Sequence, residues 1–313
     1  MRIDEAARWL SERDNFLILT HSRPDGDTLC SAGALCYGLN KIGKTARILP
    51  NPETGERYMK YVAEFFTPED FSAEHIVSVD TARETMITKG GEEYYDKVEL
   101  AIDHHGSNSL YAENSCIDGD AAACGEMIYE LLGYMGVELD ETAAALLYIA
   151  VSTDTGCFAY NNTSSRTLEI ASKLVQAGAP NGRLNKEFFR TKKRGIALLE
   201  GTIISNLDFY SDDRIAVATI TQKLMEEYGV TESELEDIAS LPGQIEGVKV
   251  GFTIKEQPDG RSKVSCRTVY EVDSNAICAK FDGGGHSCAA GCTINLPPDE
   301  AKKLIVEAAR ELL

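Results

Sequence analysis

Residues 16–27 read Phe-Leu-Ile-Leu-Thr-His-Ser-Arg-Pro-Asp-Gly-Asp, and this stretch decides the fold class. It begins with Phe16–Thr20, a short apolar run typical of a buried strand. The polar, turn-rich segment His21–Asp27 follows, and a helical pattern then runs from about Thr28 to Ile42. A strand, a polar turn and a helix in this order indicate a parallel sheet with helices on its faces.

The alternation of strands and helices continues through the first part of the chain. Further strands are predicted at residues 46–49, 75–79 and 98–102, and helices at 122–136, 140–151 and, with a break at 177–182, 167–201. In parallel sheets, ligands bind beyond the carboxyl ends of the strands. The polar residues after each strand are therefore the candidate functional residues.

The last third of the chain has a different pattern. Strands are predicted at residues 214–220, 248–254 and 263–269, and a terminal helix at 298–313. A chain of 313 residues has room for two domains. The boundaries that we predict are a first domain at 1–185, a helical connector at 186–205 and a smaller second α/β domain at 206–313.

Charge and hydropathy restrict the partners and the location. The formal charge of −19 disfavours long duplex nucleic acid as a ligand, because its binding needs a basic surface. A small anionic ligand is compatible with this charge if divalent cations are bound at the site. Ala143–Val151 is the longest strongly apolar run and is too short to span a bilayer, while Met1–Asp14 has the pattern of an amphipathic helix rather than a signal peptide. We therefore expect a cytoplasmic protein with no membrane partner.

The nine cysteines include no Cys-x-x-Cys pair. A structural zinc site or a thioredoxin-type redox motif is therefore disfavoured. We expect reduced thiols that act as small buried apolar side chains.

Aspartates and histidines are concentrated in four segments, each of which we place after a strand. They are His21-Ser-Arg-Pro-Asp25-Gly-Asp27, Asp80-Thr81, Asp103-His104-His105 and Ser152-Thr-Asp154-Thr-Gly156. The carboxyl ends of parallel strands share one edge of a sheet, so these side chains are expected to converge. Of the chain's five histidines only His75 lies outside the polar motifs.

Carboxylate and imidazole groups are ligands that suit manganese. Several carboxylates in one cleft repel each other unless cations are present, and two divalent ions relieve that repulsion. The residue types therefore predict a two-metal site.

These motifs resemble those of the DHH/DHHA1 phosphoesterases, and among them the bacterial nanoRNases that also act on pAp (3′-phosphoadenosine 5′-phosphate). Asp103-His104-His105 is the triplet that names the family, and His21–Asp27, Asp80 and Asp154 match its other motifs. In the second domain, Gly283-Gly-Gly-His286-Ser-Cys-Ala-Ala-Gly291 is similar to the DHHA1 signature, and Ser265-Cys-Arg267-Thr268 to the loop that accompanies it.

The resemblance implies a DHH catalytic, metal-binding domain and a DHHA1 substrate-binding domain, with the active site in the cleft between them. It also implies a division of the ligands between two Mn²⁺ ions, for which Mg²⁺ or Co²⁺ could substitute. One ion would be held by His21, Asp25 and Asp80, and the other by Asp27, Asp80, His104 and Asp154, with Asp80 as the bridge.

The remaining motif residues are expected to support the metal site or to act on the substrate. Asp103 would support the metal site, and His105 would touch the phosphate or protonate the leaving oxygen. Arg267 offers a planar fork to a phosphate, Gly283, Gly284 and Gly285 let backbone N–H groups approach it, and His286 adds a hydrogen bond or a positive charge.

The expected activity is hydrolysis of short single-stranded oligoribonucleotides of 2–5 nucleotides to mononucleotides, and of pAp to AMP, by a hydroxide that two metals activate. The same two domains would also serve a phosphodiesterase for cyclic di-AMP or pApA, and the metal motifs do not separate these. A manganese pyrophosphatase or a non-catalytic RNA-binding module is less favoured. A homodimer remains possible.

Overall fold

The computed structural model describes residues 1–68, 71–235, 237–269 and 271–313. The chain divides into two compact units, Met1–Thr191 and Lys192–Leu313. The division falls inside the segment 186–205, which we predict as a connector.

Unit 1 is built around a five-stranded parallel sheet in the order β2-β1-β3-β4-β5. Its strands and helices, in chain order, are α1 (Ile3–Ser11), β1 (Phe16–Leu19), α2 (Gly26–Lys41), β2 (Ala46–Ile48), α3 (Glu56–Val62), β3 (His75–Val79), β4 (Leu100–Asp103), β5 (Asn114–Ile117), α4 (Cys124–Tyr134), α5 (Glu141–Asp154), α6 (Ser165–Gln176) and α7 (Asn181–Phe189).

Both faces of this sheet are buried at its central strands, which explains why those strands are mostly apolar. All four residues of β1 are buried, and so are all four of β4. Helices α2, α4 and α5 pack together over one face, and the largest hydrophobic core of the molecule lies there. The five strands therefore form a rigid base from which their carboxyl ends project.

The predicted α/β class with a parallel sheet is confirmed, but one placement is wrong. Asp154 does not follow a strand, because it is the last residue of helix α5. The apolar run Ala143–Val151 continues as helix for three more residues and carries Asp154 to the site. Strand β5 is absent from the predicted elements because its residues Asn114–Ile117 are half polar, as expected for the outermost strand of this sheet.

Unit 2 contains a six-stranded sheet in the order β10-β11-β9-β8-β7-β6, in which β7 and β8 are parallel and the other pairs are antiparallel. Its strands and helices are α8 (Arg194–Ser205), β6 (Asp208–Tyr210), β7 (Ile215–Ile220), α9 (Gln222–Tyr228), β8 (Val250–Glu256), β9 (Ser262–Thr268), α10 (Ser274–Ala279), β10 (Gly284–Gly285), β11 (Ala289–Ile294) and α11 (Pro298–Arg310).

The central strands of unit 2 bury one face against α10 and α11. Phe252, Val264 and Cys266 point into this core, which is separate from the core of unit 1. Among the residues that the structure describes, no helix combines the length and the apolar content that a bilayer span requires.

Candidate functional site

Six side chains meet at the carboxyl edge of the unit 1 sheet, and we refer to them as the Asp/His cluster. The cluster consists of His21, Asp25, Asp27, Asp80, His104 and Asp154. Its members follow β1, β3 and β4 or, for Asp154, end helix α5. They form two triplets, one of His21, Asp25 and Asp80 and one of Asp27, His104 and Asp154, and within each triplet the potential ligand atoms lie within 4.8 Å of one another.

Asp80 connects the two triplets. Its Oδ2 lies 3.5 Å from Nε2 of His21, and its Oδ1 lies 3.4 Å from Nε2 of His104. The residue is 2% exposed, and Oδ1 has no hydrogen-bond partner. The backbone of Asp80 is left-handed, with φ +53°, a strained conformation that is often found at functional sites.

The other separations are of the same size. Nε2 of His104 lies 3.6 Å from Oδ2 of Asp154 and 3.8 Å from Oδ2 of Asp27, and Nε2 of His21 lies 3.8 Å from Oδ1 of Asp25. Ligands about 2.1 Å from a shared ion lie roughly 3–3.6 Å from one another. Each triplet can therefore close around a metal ion with small movements.

Both imidazole rings present Nε2 to the cluster. Nδ1 of His21 lies 2.7 Å from the carbonyl oxygen of Ser22, and Nδ1 of His104 lies 3.1 Å from that of Ala121. A carbonyl accepts but cannot donate, so Nδ1 carries the proton in each ring. Such a bond fixes the tautomer that metal-binding histidines need.

Asp27 is held in place from behind. Backbone N–H groups at the start of α4 donate to it, from Cys124 to Oδ2 at 2.6 Å and from Gly125 to Oδ1 at 2.9 Å. The hydroxyl of Ser31 donates to Oδ1 at 2.8 Å. Because these donors fix the carboxylate plane, only the side facing His104 is left for a ligand.

Asp25 and Asp154 lie at opposite kinds of helix end. Asp25 caps α2, with Oδ1 accepting from the N–H groups of Asp27 and Thr28, which is a favourable position for a carboxylate. Asp154 ends α5, where the helix dipole disfavours negative charge. A cation at the cluster would compensate for this unfavourable position.

The carboxylates of the Asp/His cluster differ in their proton affinity. Burial raises the pKa of Asp27 well above its ordinary value, and the charges of Asp80 and Asp154 raise it further. Burial also raises the pKa of Asp154 to about 6, with Asp25 and Asp80 adding to the effect. For Asp80 the burial acts in the same direction, but close contact with His104 and His21 brings its pKa below the ordinary value.

The two histidines show the reverse effect. Burial would lower the pKa of His21, but hydrogen bonding to Asp25 and Asp80 raises it to about 11. Burial likewise opposes the charged form of His104, whereas Asp80 and Asp27 raise its pKa to about 10. Without metal, the carboxylates therefore hold protons on both rings, and a bound cation would have to replace them.

Asp103 and His105 form a pair beside the cluster. Nδ1 of His105 donates to Oδ1 of Asp103 at 2.7 Å, and Asp103 is fully buried. Hydrogen bonding to Asp103 raises the pKa of His105. His105 also forms a close triplet with Asp80 and His104. Its Nδ1 is bonded to the carboxylate of Asp103, whereas Nδ1 of His21 and of His104 is bonded to a backbone carbonyl, so His105 is oriented differently.

In unit 2 the remaining motif residues lie on adjacent strands. We call residues 283–291, which comprise β10, its turn and the start of β11, the glycine hairpin. Arg267 of β9 pairs in register with Ala289, and Gly285 pairs with Ala290. The Nη1 atom of Arg267 donates to the carbonyl of Cys266, and the side chain of His286 is exposed. Arg267 and the glycine hairpin are therefore neighbours on one sheet.

The glycines of the hairpin are required by its own packing at two positions. A Cβ at Gly283 would overlap the carbonyl oxygen of Gly291 and the Cβ of Cys292, and one at Gly285 would overlap Ala289 and Ala290. At Gly284 the nearest atom would be Oδ1 of Asn275, at 3.6 Å. Of these three, only Gly284 could carry a side chain without a clash inside unit 2.

Two family descriptions match the two units. Residues 15–151 match the DHH family N-terminal domain, and residues 212–313 match the DHHA1 domain. This chain therefore contains a DHH domain followed by a DHHA1 domain. Asp154 lies three residues beyond the matched DHH segment, so its inclusion in the Asp/His cluster rests on its position at the end of α5.

Relatives of this DHH/DHHA1 chain extend over nearly its full length. It is 29% identical over 299 residues to the bifunctional oligoribonuclease and PAP phosphatase NrnA of Thermus thermophilus, which covers 95% of this chain and 89% of the relative. The protein of the same name from Bacillus subtilis is 29% identical over 311 residues, covering 97% and 96%. An exopolyphosphatase-related protein from Bacteroides fragilis has the same fold, with a TM-score of 0.87 at 23% identity over 99% of this chain and 95% of that one.

Unit 1 also contains polar residues that sequence reasoning missed. Asn51 donates to the carbonyl of His21 at 2.9 Å, and Asn162 donates to the carbonyl of Asp154 at 3.1 Å. Asn108 donates to Asp103 at 2.7 Å. Each of these amides lies on a loop and holds a segment that carries a motif residue. Their only sequence signal is an asparagine in a loop, which is too common to be informative.

Proposed function

We propose that this chain is a metal-dependent phosphoesterase that hydrolyses oligoribonucleotides of 2–5 nucleotides to mononucleotides and converts pAp to AMP. The observation that carries the proposal is the buried carboxylate of Asp80, whose two oxygens face two different Asp/His triplets. The activities named for the relatives from Thermus thermophilus and Bacillus subtilis supply the substrate class. As a phosphoesterase, the protein is a hydrolase.

The Asp/His cluster fits a pair of divalent cations. Oδ1 of Asp80 is buried without a hydrogen-bond donor, which a cation would remedy. Carboxylate and imidazole donors suit Mn²⁺, with Mg²⁺ or Co²⁺ as alternatives. His21, Asp25 and Asp80 would hold one ion, and Asp27, Asp80, His104 and Asp154 the other. When bound, the two ions would lower the pKa of a water molecule and neutralise charge at phosphorus.

The protein's own residues would orient the reacting ester. Nδ1 of His105 donates to Asp103, which leaves Nε2 to contact the phosphate or to protonate the leaving oxygen. His105 keeps 40% of its side chain exposed, whereas Asp103 has none exposed. A histidine with one nitrogen anchored and the other accessible suits contact with a substrate.

Arg267 and the glycine hairpin would bind the nucleotide. A guanidinium group can form two parallel hydrogen bonds to one phosphate, and the exposed His286 can add a third donor. Without a Cβ at Gly284, a phosphate could approach the backbone N–H group at this position closely. Because the chain carries a formal charge of −19, local cations rather than a broad basic surface would attract the substrate, which favours short ligands.

Hydrolysis of cyclic di-AMP or pApA is the second candidate, because it needs the same pair of metal ions as hydrolysis of short RNA and pAp. A manganese pyrophosphatase would leave the glycine hairpin without a nucleotide to bind. A non-catalytic RNA-binding module would need no complete pair of triplets. The proposal of a short-RNA and pAp phosphoesterase therefore uses more of the observed groups than these two alternatives do.

A substrate panel tests the proposal. Purified protein is stripped with chelator, reloaded with Mn²⁺, Mg²⁺ or Co²⁺, and offered a dinucleotide, a pentanucleotide, pAp, cyclic di-AMP and pyrophosphate. We expect turnover of the short RNAs and pAp only after reloading, with two ions bound per chain. Turnover by protein that contains no metal, or activity confined to pyrophosphate, would refute the proposal, and a preference for cyclic di-AMP would favour the second candidate.

A further inference from the structure

Asn108 makes two donations that join two separate segments of the candidate site. Its Nδ2 group donates to Oδ2 of Asp103 at 2.7 Å and to the carbonyl oxygen of Thr81 at 3.1 Å. Asp103 ends β4, and Thr81 follows Asp80 after β3. One amide group therefore ties the ends of two neighbouring strands together.

The donation to Asp103 completes the contacts of a carboxylate that has no access to solvent. Oδ1 of Asp103 accepts from Nδ1 of His105 at 2.7 Å and from the backbone N–H of the same residue at 3.3 Å. Oδ2 accepts from Asn108. With each oxygen engaged, the carboxylate cannot rotate without losing a bond, and its orientation determines that of the His105 ring.

The donation to Thr81 acts on the strained turn of the bridging aspartate. Asp80 has a left-handed backbone, and such a conformation persists only where the surroundings hold it. Its N–H donates to the carbonyl of Ile102 at 2.8 Å, and the bond from Asn108 fixes the next carbonyl along the chain. Asn108 thus contributes to the placement of both Asp80 and His105.

We propose that Asn108 is a positioning residue for the phosphoesterase reaction. It holds Asp103 so that His105 keeps its proton on Nδ1 and directs Nε2 to the substrate, and it fixes the segment that follows Asp80. This role rests on the proposed function. In the described part of the chain, Asn108 is hydrogen-bonded to Asp103, Thr81, Leu110 and the backbone carbonyl of His105, and to no member of the Asp/His cluster, so it acts through Asp103 and Thr81.

The structure separates this role from a role in loop folding. Oδ1 of Asn108 accepts from the N–H of Leu110 at 2.7 Å, and Leu110 has a left-handed backbone with φ +55°. This Asx-type turn needs only the oxygen. Asn108→Ser keeps a shorter acceptor for the turn, removes the amide that makes both donations and adds no charge beside the buried Asp103. Asn108→Ala removes the turn acceptor and both donations.

Asn114 provides the matched control. It lies at the opposite end of β5 from the site, and its Nδ2 donates to the carbonyl of Glu99 at 3.1 Å. Asn114→Ser and Asn114→Ala therefore remove a comparable, partly buried donation to a backbone carbonyl. All four variants are compared with the unchanged protein for kcat, KM, melting temperature and bound metal.

We expect both Asn108 variants to lose about 10- to 100-fold in kcat on a dinucleotide with KM changed less than about threefold. The metal content of both Asn108 variants should match that of the Asn114 variants, and the melting temperature of Asn108→Ser should match that of Asn114→Ser. If Asn108→Ser retains the full kcat, or if kcat falls only in step with metal content and melting temperature, then Asn108 is not a positioning residue.

A second readout does not depend on turnover. Long-range ¹H–¹⁵N spectra of the magnesium-loaded, ¹⁵N-histidine protein resolve the ring tautomer of each of the five histidines, and His105→Gln identifies the His105 signals. In mildly alkaline buffer we expect the Nδ1–H form of His105 in the unchanged protein and a mixture in both Asn108 variants. An unaltered His105 tautomer would overturn the proposal. If the unchanged protein hydrolyses no phosphate ester, the proposed function fails, while the tautomer result still decides whether Asn108 orients His105.

Discussion

The Asp/His cluster and the glycine hairpin are organised in different ways. In the cluster, side chains meet at the ends of buried strands, and each is held by donors or acceptors behind it, such as those on Asp27 and on the rings of His21 and His104. In the glycine hairpin, the backbone is fixed by the pairing of β10, β11 and β9, while His286 remains exposed.

The two regions differ in electrostatic repulsion before any ligand binds. The cluster brings like charges together and raises the pKa of Asp27 through burial and the charges of Asp80 and Asp154, so it is an unfavourable arrangement without cations. The glycine hairpin contains close backbone packing but no such concentration of charge. We therefore expect changes in the cluster to alter activity and metal-free stability in opposite directions, and a change in the hairpin that causes no clash, such as one at Gly284, to alter affinity alone.

The largest effect is expected from Asp80→Asn. The amide keeps the shape of the side chain but has one oxygen and no charge, so it cannot serve both triplets. We expect turnover of a dinucleotide to fall by at least about 10³-fold, equivalent to about 4 kcal/mol of activation free energy. Steady-state kinetics and metal analysis of the dialysed protein measure the loss.

Asp120→Asn is the control for this variant, since Asp120 is an exposed aspartate on a loop of the same unit. It should leave both turnover and metal content unchanged. If Asp80→Asn retains two ions and at least a tenth of the activity, the bridge between the two triplets does not exist.

A smaller effect is expected from Asp154→Asn. In protein kept free of metal by chelator, this substitution should raise the free energy of unfolding. Burial raises the folded-state pKa of Asp154 to about 6 from an ordinary value of 3.8, so between these pH values the folded protein holds a proton that the unfolded chain has released. Stability therefore falls as the pH rises through this window. At neutral pH we expect Asp154→Asn to unfold at a higher denaturant concentration. Its free energy of unfolding should exceed that of the unchanged protein by roughly 1–3 kcal/mol.

Asp140→Asn tests the same substitution at the other end of helix α5. Burial acts to raise the pKa of Asp140, but Lys41 and Tyr37 lower it to about 2, so its charge adds stability that is present above about pH 4 and lost as the pH falls towards 2. This variant should be slightly less stable at neutral pH. Denaturation with and without Mn²⁺ distinguishes the cases, because metal should reverse the sign for Asp154→Asn only. A less stable, metal-free Asp154→Asn protein would mean that the cluster is not strained.

Sequence alone predicted the sheet of unit 1 and the meeting of its polar strand ends, because both depend on local patterns. Phe16–Leu19 and His75–Val79 are apolar runs that end at a turn, and parallel strands bring their carboxyl ends to one edge. The resemblance to a known family supplied the division into two ligand sets. The motifs and this resemblance therefore predict the residues of the two triplets without any distance.

The supporting contacts could not be predicted in this way. The donors on Asp27 are backbone N–H groups of Cys124 and Gly125, which are nearly a hundred residues away and have no side-chain signature. Asp154 is expected after a strand, although the pattern at residues 140–151 predicts a helix; the structure extends that helix to Asp154, so the residue lies at a helix end. Long-range packing decides such cases, and only the structure shows it.

The smallest effect tests whether the glycine hairpin is a ligand surface or only a packing solution. Gly284→Ala adds one methyl group whose nearest neighbour is Oδ1 of Asn275 at 3.6 Å, so the melting temperature should not change. If a phosphate approaches the backbone here, the same methyl group should weaken binding of AMP about tenfold, or about 1.4 kcal/mol. Gly283→Ala is the contrasting variant, because its Cβ would overlap Gly291 and Cys292, and it should lower the melting temperature. Calorimetry of AMP binding decides the question: if Gly284→Ala binds AMP as tightly as the unchanged protein, the glycines serve the fold of unit 2 alone, and nucleotide recognition must be assigned to Arg267 and His286.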